Sequence, residues 1–248
     1  MTGDGPVILK LGGSVITEKS EPETVDAPAL NSAARAIGGA DLSQLVVVHG
    51  GGSFGHPAAA HADVSIEEGT HDAEAIRDIH AAMGRLHEAV LEALADAGVP
   101  AVPVRPFSGG VRPESGELAY SAEPVRAMLG EGFVPVLHGD VITTAGAGAT
   151  ILSGDELVRS LASELEPASV GLCTTAPGVR DETGAVLERI EAYEAVAAAL
   201  GGADETDVTG GMAGKVSAML ELTAPAQVFG PEDLSGFLAG EEPGTRID

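Results

Sequence analysis

Short apolar runs that end in glycine-rich turns recur along this chain of 248 residues, and helical patterns lie between them. Val7–Leu11 leads into Gly12 and Gly13, and Leu45–His49 leads into four glycines within residues 50–55. Strands of similar character are predicted at Ala101–Val104, Phe133–Leu137 and Ser169–Cys173. Strand, glycine turn and helix in series predict an α/β fold, a three-layer αβα sandwich with a mainly parallel central sheet.

Helices are predicted at Ala27–Ile37, Thr70–Ala97, Ser121–Leu129, Asp155–Leu165, Ala192–Leu200 and Gly211–Leu222. The longest carries apolar residues at spacings of three and four, and Gly98 is expected to stop it. Val228 and Phe229 are expected to close the sheet. Ligands of parallel sheets bind beyond the carboxyl ends of the strands, where these glycine-rich turns fall.

The charge composition excludes several classes of function. The chain has 38 acidic and 13 basic residues, which gives a net charge of −25. Nucleic-acid binding needs a basic surface, and an anionic membrane would repel this chain. There is neither an apolar run of the ~18 residues that span a bilayer nor the pattern of a signal peptide, so a cytoplasmic protein is predicted. So acidic a chain repels itself unless dense salt screens it, which indicates a cytoplasm with molar salt, as in extreme halophiles.

Lysine is confined to three positions, Lys10, Lys19 and Lys215. Lys10 precedes Gly12-Gly13-Ser14, and Lys215 follows a segment that begins with Gly210 and Gly211. Lysine is a compact charge that suits phosphate, and arginine does not replace it. Glycines let backbone N–H groups close around an anion, so these segments predict phosphate binding. For the first segment alone, a tight turn after a strand is an equally good explanation.

Two further segments carry candidate chemistry. The glycines after His49 imply a required backbone geometry, since glycine costs ~0.5–1 kcal/mol in regular structure, and His56 can donate to the same anion. In Ser153-Gly154-Asp155-Glu156, either Ser153 or Asp155 simply caps a helix, or Asp155 holds lysine ammonium groups by charge-assisted hydrogen bonds.

The remaining titratable residues suggest no further chemistry. Four other histidines are interpreted as ordinary helix or loop residues: His61, His71, His80 and His87. No spacing of His, Asp and Glu indicates a metal held by the protein alone. The single Cys173 rules out an intrachain disulfide and a cysteine cluster.

The order of four motifs, KLGGS, HGGGSFGHP, SGDEL and DVTGGMAGK, resembles the amino acid kinase superfamily from Leu9 to about Val216. His56 after Gly-Ser-Phe-Gly, with Lys19 nine residues after Lys10, is similar to the branch that acts on isopentenyl phosphate. The resemblance implies a phosphotransferase that uses ATP and Mg²⁺ to make isopentenyl diphosphate, in isoprenoid biosynthesis by an alternative mevalonate route.

The resemblance also assigns roles to residues. It implies ATP binding by Lys10, Gly12, Gly13, Ser14, Gly52, Thr175, Gly210, Gly211 and Lys215, and acceptor binding by Gly51, Gly55, His56 and Gly154. The catalytic residues would be Lys10, Lys19, His56 and Asp155. Lys19 would stabilise the transferring phosphoryl group, and Asp155 would orient the lysines. Thr175 stands where the superfamily often has an aspartate.

The same resemblance implies a homodimer formed through the helix at Thr70–Ala97. Residues 1–167 would form an N-terminal lobe that binds the phosphate acceptor, and residues 168–248 a C-terminal lobe that binds ATP, with one continuous sheet. Two alternatives stay open. One is another small-molecule kinase of this fold, either a uridylate kinase or a phosphonate kinase of the fosfomycin type. The other is a non-catalytic nucleotide-binding module, which the presence of all three lysines disfavours.

Overall fold

The computed structural model describes residues 5–197 and 211–248. Its strands are β1 Val7–Leu11, β2 Leu45–His49, β3 Ala101–Pro103, β4 Gly110–Val111, β5 Ala119–Tyr120, β6 Val134–His138, β7 Asp140–Thr144, β8 Gly148–Leu152, β9 Ser169–Cys173, β10 Arg189–Ile190, β11 Ala226–Phe229 and β12 Thr245–Ile247. Eight of them form one sheet in the order β10-β12-β11-β9-β1-β2-β6-β3. Its pairs are parallel except for β11 with β12, which confirms the predicted mainly parallel sheet.

Helices cover both faces of this sheet. They are α1 Gly13–Ile16, α2 Ala27–Gly38, α3 Gly52–His61, α4 Ala73–Asp96, α5 Glu123–Gly130, α6 Gly154–Leu165, α7 Gly211–Leu220 and α8 Leu234–Leu238. Short 3₁₀ turns lie at Pro106–Ser108, Tyr193–Ala195 and Pro231–Asp233. Within the described ranges, no helix is both long enough and apolar enough to cross a membrane.

The alternation of side chains along β1 explains the three layers. Ile8 joins one apolar core, which α5, α6 and α7 cover, whereas Leu9 and Leu11 join a second core under α2, α4 and α8. Successive side chains of a strand point to opposite faces, so Lys10 shares the face of Ile8 and is directed towards the α6 layer. The predicted αβα sandwich is confirmed.

The longest helix is shorter than predicted at its start. It begins at Ala73 because the carboxylate of Asp72 accepts a hydrogen bond from the backbone N–H of Glu74 and caps the helix there. It ends before Gly98, whose φ of +79° is the left-handed conformation expected of a glycine that follows a helix.

Three other expectations need correction. Val228 and Phe229 lie in β11, but β12 and β10 extend the sheet beyond it, so they do not close it. Of the helix expected at Ala192–Leu200, the structure has a 3₁₀ turn at Tyr193–Ala195, and residues 198–200 lie outside the described part. The glycine-rich segment after Gly51 is helix α3 rather than loop, because its small residues pack against α4, so His56 lies within a helix.

A small hairpin flanks the main sheet and matters for the site. Strands β7 and β8 pair antiparallel, with Asp140 opposite Leu152 and Val141 opposite Ile151. Val141 packs with Ala59 of α3 and Ile79 of α4 in a third apolar cluster. The hairpin therefore forms a wall beside α3 and α4 at the end of the sheet.

Candidate active site

A cleft of about 770 Å³ opens at the carboxyl ends of β1, β2, β6 and β9. The residues that follow these four strands, Gly12, Gly50, Gly139 and Thr174, all line it. Of the residues predicted for the site, the cleft brings together Lys10, Gly12, Gly13, Ser14, Lys19, Gly51, Gly52, Gly55, His56, Gly154, Asp155 and Lys215. The convergence of these separate segments is what a parallel sheet predicts, because its strands all end at one edge.

Three predicted residues fall outside this set or cannot be placed in it. Thr175 is exposed, one residue beyond the lining Thr174. Gly211 is the first residue of α7, the helix that carries Lys215. Gly210 lies outside the described residues.

The first and second glycine-rich segments touch each other through their backbones. A Cβ atom on Gly13 would lie 2.1 Å from the backbone nitrogen of Gly52. Gly52 has a φ of +48°, and a Cβ there would lie 2.2 Å from Oγ1 of Thr17. Any side chain at either position would collide with its neighbour, so the glycines are required by this close approach.

Lys10 is held in a buried ion pair. Its Nζ lies 2.6 Å from Oδ1 of Asp155, and the two side chains are 8% and 9% exposed. Nζ of Lys215 lies 3.9 Å from the other carboxylate oxygen of Asp155. A Cβ on Gly154 would lie 3.1 Å from Cε of Lys10, so glycine at that position leaves room for the lysine side chain. Asp155 therefore sets the direction of two ammonium groups that line the cleft.

The sequence suggested either a helix cap or an ion pair at the N-terminus of α6, and the structure has both, each made by a different residue. Oγ of Ser153 accepts a hydrogen bond from the backbone N–H of Glu156 at 3.1 Å and caps the helix. Asp155 pairs with lysine instead. A buried ion pair is a poor source of stability because desolvation offsets most of the attraction, so this pair is better explained by the placement of charge.

His56 and Lys19 line the cleft from more exposed positions. His56 lies in α3, in the turn that follows the second glycine-rich segment. Lys19 lies on the loop between α1 and α2. Both side chains are exposed, unlike that of Lys10.

One part of the cleft is apolar, and the sequence did not reveal it. Its lining residues are Ala59 from α3, Ile79 and Met83 from α4, and Ile151 and Leu152 from β8. Sulfur Sδ of Met83 would lie 2.7 Å from a Cβ on Gly55, so the glycine lets α4 approach α3. The helical spacing predicts that Ile79 and Met83 lie on an apolar stripe of α4. That the stripe faces a cleft here follows only from the hairpin β7–β8, which the sequence did not predict.

Three histidines, far apart in sequence, meet beneath the cleft. His49, His87 and His138 are fully buried, and Nε2 of His49 lies 3.1 Å from Nδ1 of His87. Burial lowers the pKa of His87 to about 3 and lowers the pKa values of His49 and His138 as well. His87 is thus a core residue with a defined partner and not the ordinary helix residue that the sequence suggested.

The neutral rings hold two of the turns that line the cleft. Nδ1–H of His138 donates to the carbonyl of Gly139 at 2.8 Å, and Nδ1–H of His49 donates to the carbonyl of Gly50 at 3.2 Å. Each donor belongs to the last residue of a strand, and each acceptor to the glycine after it. The buried histidines therefore fix the backbone where β2 and β6 enter the cleft.

The pKa of His80 is shifted in the opposite direction from those of the three buried histidines. Its Nδ1 donates to Oδ2 of Asp140 at 2.8 Å, and this hydrogen bond raises the pKa of His80. Asp140 follows Gly139 at the start of β7, so the pair fastens α4 to the hairpin. The described residues contain no cluster of three or more His, Cys, Asp and Glu side chains that could hold a metal ion.

Comparison with known proteins agrees with this geometry. The chain belongs to the amino acid kinase family, whose profile matches residues 5–227. It is 59% identical, over 97% of this chain and 98% of the relative, to a protein of Haloferax volcanii described as isopentenyl phosphate kinase. A relative with the same description from Methanothermobacter thermautotrophicus is 35% identical over 97% of this chain and 98% of its own length. The resemblance inferred from the motifs is confirmed.

A solved structure supports the fold independently. A structure described as isopentenyl phosphate kinase superposes with a TM-score of 0.83 at 30% sequence identity, covering 98% of this chain and 99% of that one.

Proposed function

We propose that this protein transfers the γ-phosphoryl group of ATP to isopentenyl phosphate, which yields isopentenyl diphosphate for isoprenoid biosynthesis by an alternative mevalonate route. The observation that carries the proposal is the composition of the cleft, which joins lysines and glycine backbones to an apolar wall. Relatives described as isopentenyl phosphate kinases, similar over almost the full length of this chain, support it.

The chemistry needs positioning more than proton transfer. A phosphate monoester has a second pKa near ~6, so the acceptor is mostly a dianion at neutral pH and attacks without a general base. Lys10 and Lys215, oriented by Asp155, bind the phosphates of ATP together with the glycine-rich segments. Lys19 stabilises the phosphoryl group in transfer, and His56 hydrogen-bonds the phosphate of the acceptor. Catalysis then consists of orientation and charge stabilisation.

The apolar wall favours an isoprenoid tail over a nucleoside. Ile79 and Met83 of α4 and Ile151 of β8 line this part of the cleft, and none of the three offers a hydrogen-bond partner to a base or a ribose. A pocket built for a nucleobase would place polar groups to fix its orientation. The wall suits a short hydrocarbon chain, which disfavours UMP as the acceptor.

Mg²⁺ is part of the proposal as a metal that arrives with ATP. The carboxylate of Asp155 is engaged by two lysines, and the side chain of Asp140 is fully buried and hydrogen-bonded to His80. These residues fit a metal whose ligands are mainly ATP phosphate oxygens. Bound in that way, Mg²⁺ supplies further positive charge against the phosphates.

The lobes and the homodimer complete the proposal. We assign acceptor binding to residues 1–167 and ATP binding to residues 168–248, on the basis that the apolar wall and His56 belong to the first range and Lys215 to the second. The homodimer rests on the family resemblance alone. Light scattering in concentrated KCl tests it, and a monomer would contradict it.

Adaptation to a salt-rich cytoplasm is supported by the net charge of −25. Repulsion among so many carboxylates is screened only at high ionic strength. Thermal unfolding followed by circular dichroism should therefore give a melting temperature that rises with KCl up to molar concentrations. A melting temperature that is highest at low salt would contradict the adaptation.

The acceptor is tested by incubating the protein in concentrated KCl with Mg-ATP and, separately, isopentenyl phosphate, UMP and fosfomycin. ADP release above background is expected with isopentenyl phosphate. Release with UMP alone, or with fosfomycin alone, would overturn the proposal. His56→Ala should raise the KM for the acceptor at least about tenfold while the KM for ATP changes little, since the proposal assigns His56 to the acceptor phosphate and not to ATP. Equal loss for both substrates would show that the role of His56 is wrong.

A further inference from the structure

The loop that carries Lys19 is closed at its base. Thr17 and Val25 form an antiparallel bridge, and the backbone N–H of Glu18 donates to the carbonyl of Thr24 at 2.9 Å. Lys19 follows directly after this base and lines the cleft. The position of its ammonium group therefore depends on how the whole loop sits against its neighbours.

Ser53 ties the loop to the second glycine-rich segment from the inside. Its backbone N–H donates to Oγ1 of Thr17 at 3.0 Å, and its hydroxyl donates to the carbonyl of Thr24 at 3.2 Å. Its carbonyl accepts a hydrogen bond from the backbone N–H of Glu23 at 2.9 Å. These bonds fix the distance between the loop and the start of α3.

The outer side of the loop is held by one bidentate ion pair. Nε of Arg85 lies 2.8 Å from Oε2 of Glu23, and Nη2 lies 2.6 Å from Oε1. Arg85 stands on α4 two residues after Met83, which lines the apolar wall. The pair thus connects the Lys19 loop to the helix that forms the acceptor side of the cleft.

The backbone conformation of Glu23 indicates that glutamate is present for its side chain and not for the turn. Its φ is +50°, in the left-handed region that costs a non-glycine residue conformational energy. Glycine would adopt this conformation without that cost. Turn geometry alone would therefore favour glycine, whereas the carboxylate of glutamate makes two charge-assisted hydrogen bonds to Arg85.

We propose that Glu23 and Arg85 are positioning residues for Lys19, which hold its loop against α4 so that the ammonium group reaches the transferring phosphoryl group. The proposal rests on the role given to Lys19 in the proposed function. The pair is exposed, so it adds little to global stability. Its effect is therefore expected in turnover and not in folding.

Removal of the ion pair gives the first test. Glu23→Gln and Arg85→Gln should each lower kcat about five- to tenfold at fixed KCl while the KM for ATP stays within about twofold. Combining Glu23→Arg with Arg85→Glu should restore part of the lost turnover. The control is Glu88→Gln, which removes another exposed ion pair of α4, with Arg105, and should leave kcat unchanged. Unchanged kcat in both test variants, or an equal loss in the control, would overturn the proposal.

A glycine at position 23 separates positioning from loop stability. Glu23→Gly relieves the left-handed backbone and removes the ion pair, so the melting temperature should stay within a few degrees of the parent value. The same variant should lose as much kcat as Glu23→Gln. A glycine variant with full turnover would show that the ion pair does not position Lys19.

A double-mutant cycle decides whether the effect passes through Lys19. Lys19→Ala alone should lower kcat about tenfold or more, and adding Glu23→Gln should lower it no further. If the losses in kcat of the two single variants multiply in the double variant, Glu23 acts independently of Lys19, and the proposal is overturned. If Lys19→Ala leaves kcat unchanged while isopentenyl phosphate is still phosphorylated, both the role of Lys19 and the positioning proposal are wrong, although the acceptor is right.

Discussion

Lys10 and Lys19 line one cleft but are held in place by different means. Lys10 is in a strand of the central sheet, 8% exposed, and pairs with a buried carboxylate. Lys19 is exposed on a loop whose outer attachment is an ion pair between side chains that are 53% and 43% exposed. Salt screens exposed charges far more than buried ones. The first lysine is therefore fixed by the core, and the second by a surface contact that is easier to alter.

The contrast extends to the surroundings of each lysine. Around Lys10 the cleft is built from backbone, with Gly13 against Gly52 and Gly154 beside the lysine stem. The loop of Lys19 has backbone hydrogen bonds too, but it also depends on side chains, those of Thr17, Ser53 and Glu23. We infer that the donor phosphates meet a nearly rigid surface, whereas the transferring group meets a lysine placed by replaceable contacts.

Exchange of lysine for arginine should separate the two positions most strongly. In Lys10→Arg the larger planar group must fit between Gly154 and Asp155, so kcat should fall by about a hundred- to a thousandfold. In Lys19→Arg the exposed loop has room, and kcat should fall less than about tenfold. Steady-state assays in concentrated KCl measure both values.

Lys215→Arg extends this comparison to the third lysine. Full activity in all three arginine variants would refute the idea that lysine has been kept where only an ammonium group serves. Equal losses at Lys10 and Lys19 would contradict the difference in how the two are held.

A methyl group between the glycine-rich segments should give the next largest effect. In Gly13→Ala the new Cβ would lie 2.1 Å from the nitrogen of Gly52, so the segments must separate. Moving one of these segments out of position is expected to lower kcat about a hundredfold. Gly130→Ala is the matched control, because a Cβ there meets nothing within 4 Å. Near-normal turnover in Gly13→Ala would contradict the close approach of the segments.

Acidic pH should lower the stability of the protein through its three buried histidines, which lie beneath the cleft. The pKa values of His49, His87 and His138 are lowered from 6.5, so the unfolded chain binds more protons than the folded chain as pH falls below 6.5. Stability is then lost progressively below that pH, by at most about 2 kcal/mol per histidine at pH ~5. His80, whose pKa is raised, contributes in the opposite direction and offsets part of this loss.

Melting temperatures at about pH 7.5 and 5.5 and constant KCl measure this effect. The wild-type protein should melt lower at the acidic pH, and His87→Gln should show a smaller difference because one buried ring no longer excludes a proton. His71→Gln, at an exposed position, should match the wild type. A wild-type melting temperature that is equal or higher at the acidic pH would contradict the burial of neutral histidines.

Parts of the fold followed closely from the sequence. The strands at Val7–Leu11, Leu45–His49 and Ser169–Cys173 agree with prediction residue for residue, since each is buried and apolar and is bounded by turn residues. Helix α3 was missed because Gly52 and Gly55 suggest loop, whereas close contacts with Thr17 and Gly13 at Gly52, and with Met83 at Gly55, require glycine. The hairpin β7–β8 was also missed, since short strands joined by Gly146 carry little pattern.

Most residues of the site could be predicted from the sequence, but the contacts between them could not. The glycine-rich segments that follow β1 and β2 had to meet if the sheet was parallel, and they do. The sequence left open whether Ser153 or Asp155 caps α6, because the choice depends on the reach of Lys10 from another element. The meeting of His49 and His138 had a faint signal, since both end a strand and precede a glycine.

The most direct test of the proposed function is a competition followed by ³¹P NMR. Equimolar isopentenyl phosphate and UMP are incubated with the protein, ATP and Mg²⁺ in concentrated KCl, and the products are identified by their phosphorus resonances. The apolar wall and the phosphate-binding end together predict that isopentenyl diphosphate accumulates first, with one ADP formed for each diphosphate. Accumulation of UDP in its place, or of ADP with inorganic phosphate and no new diphosphate, would contradict the proposed function.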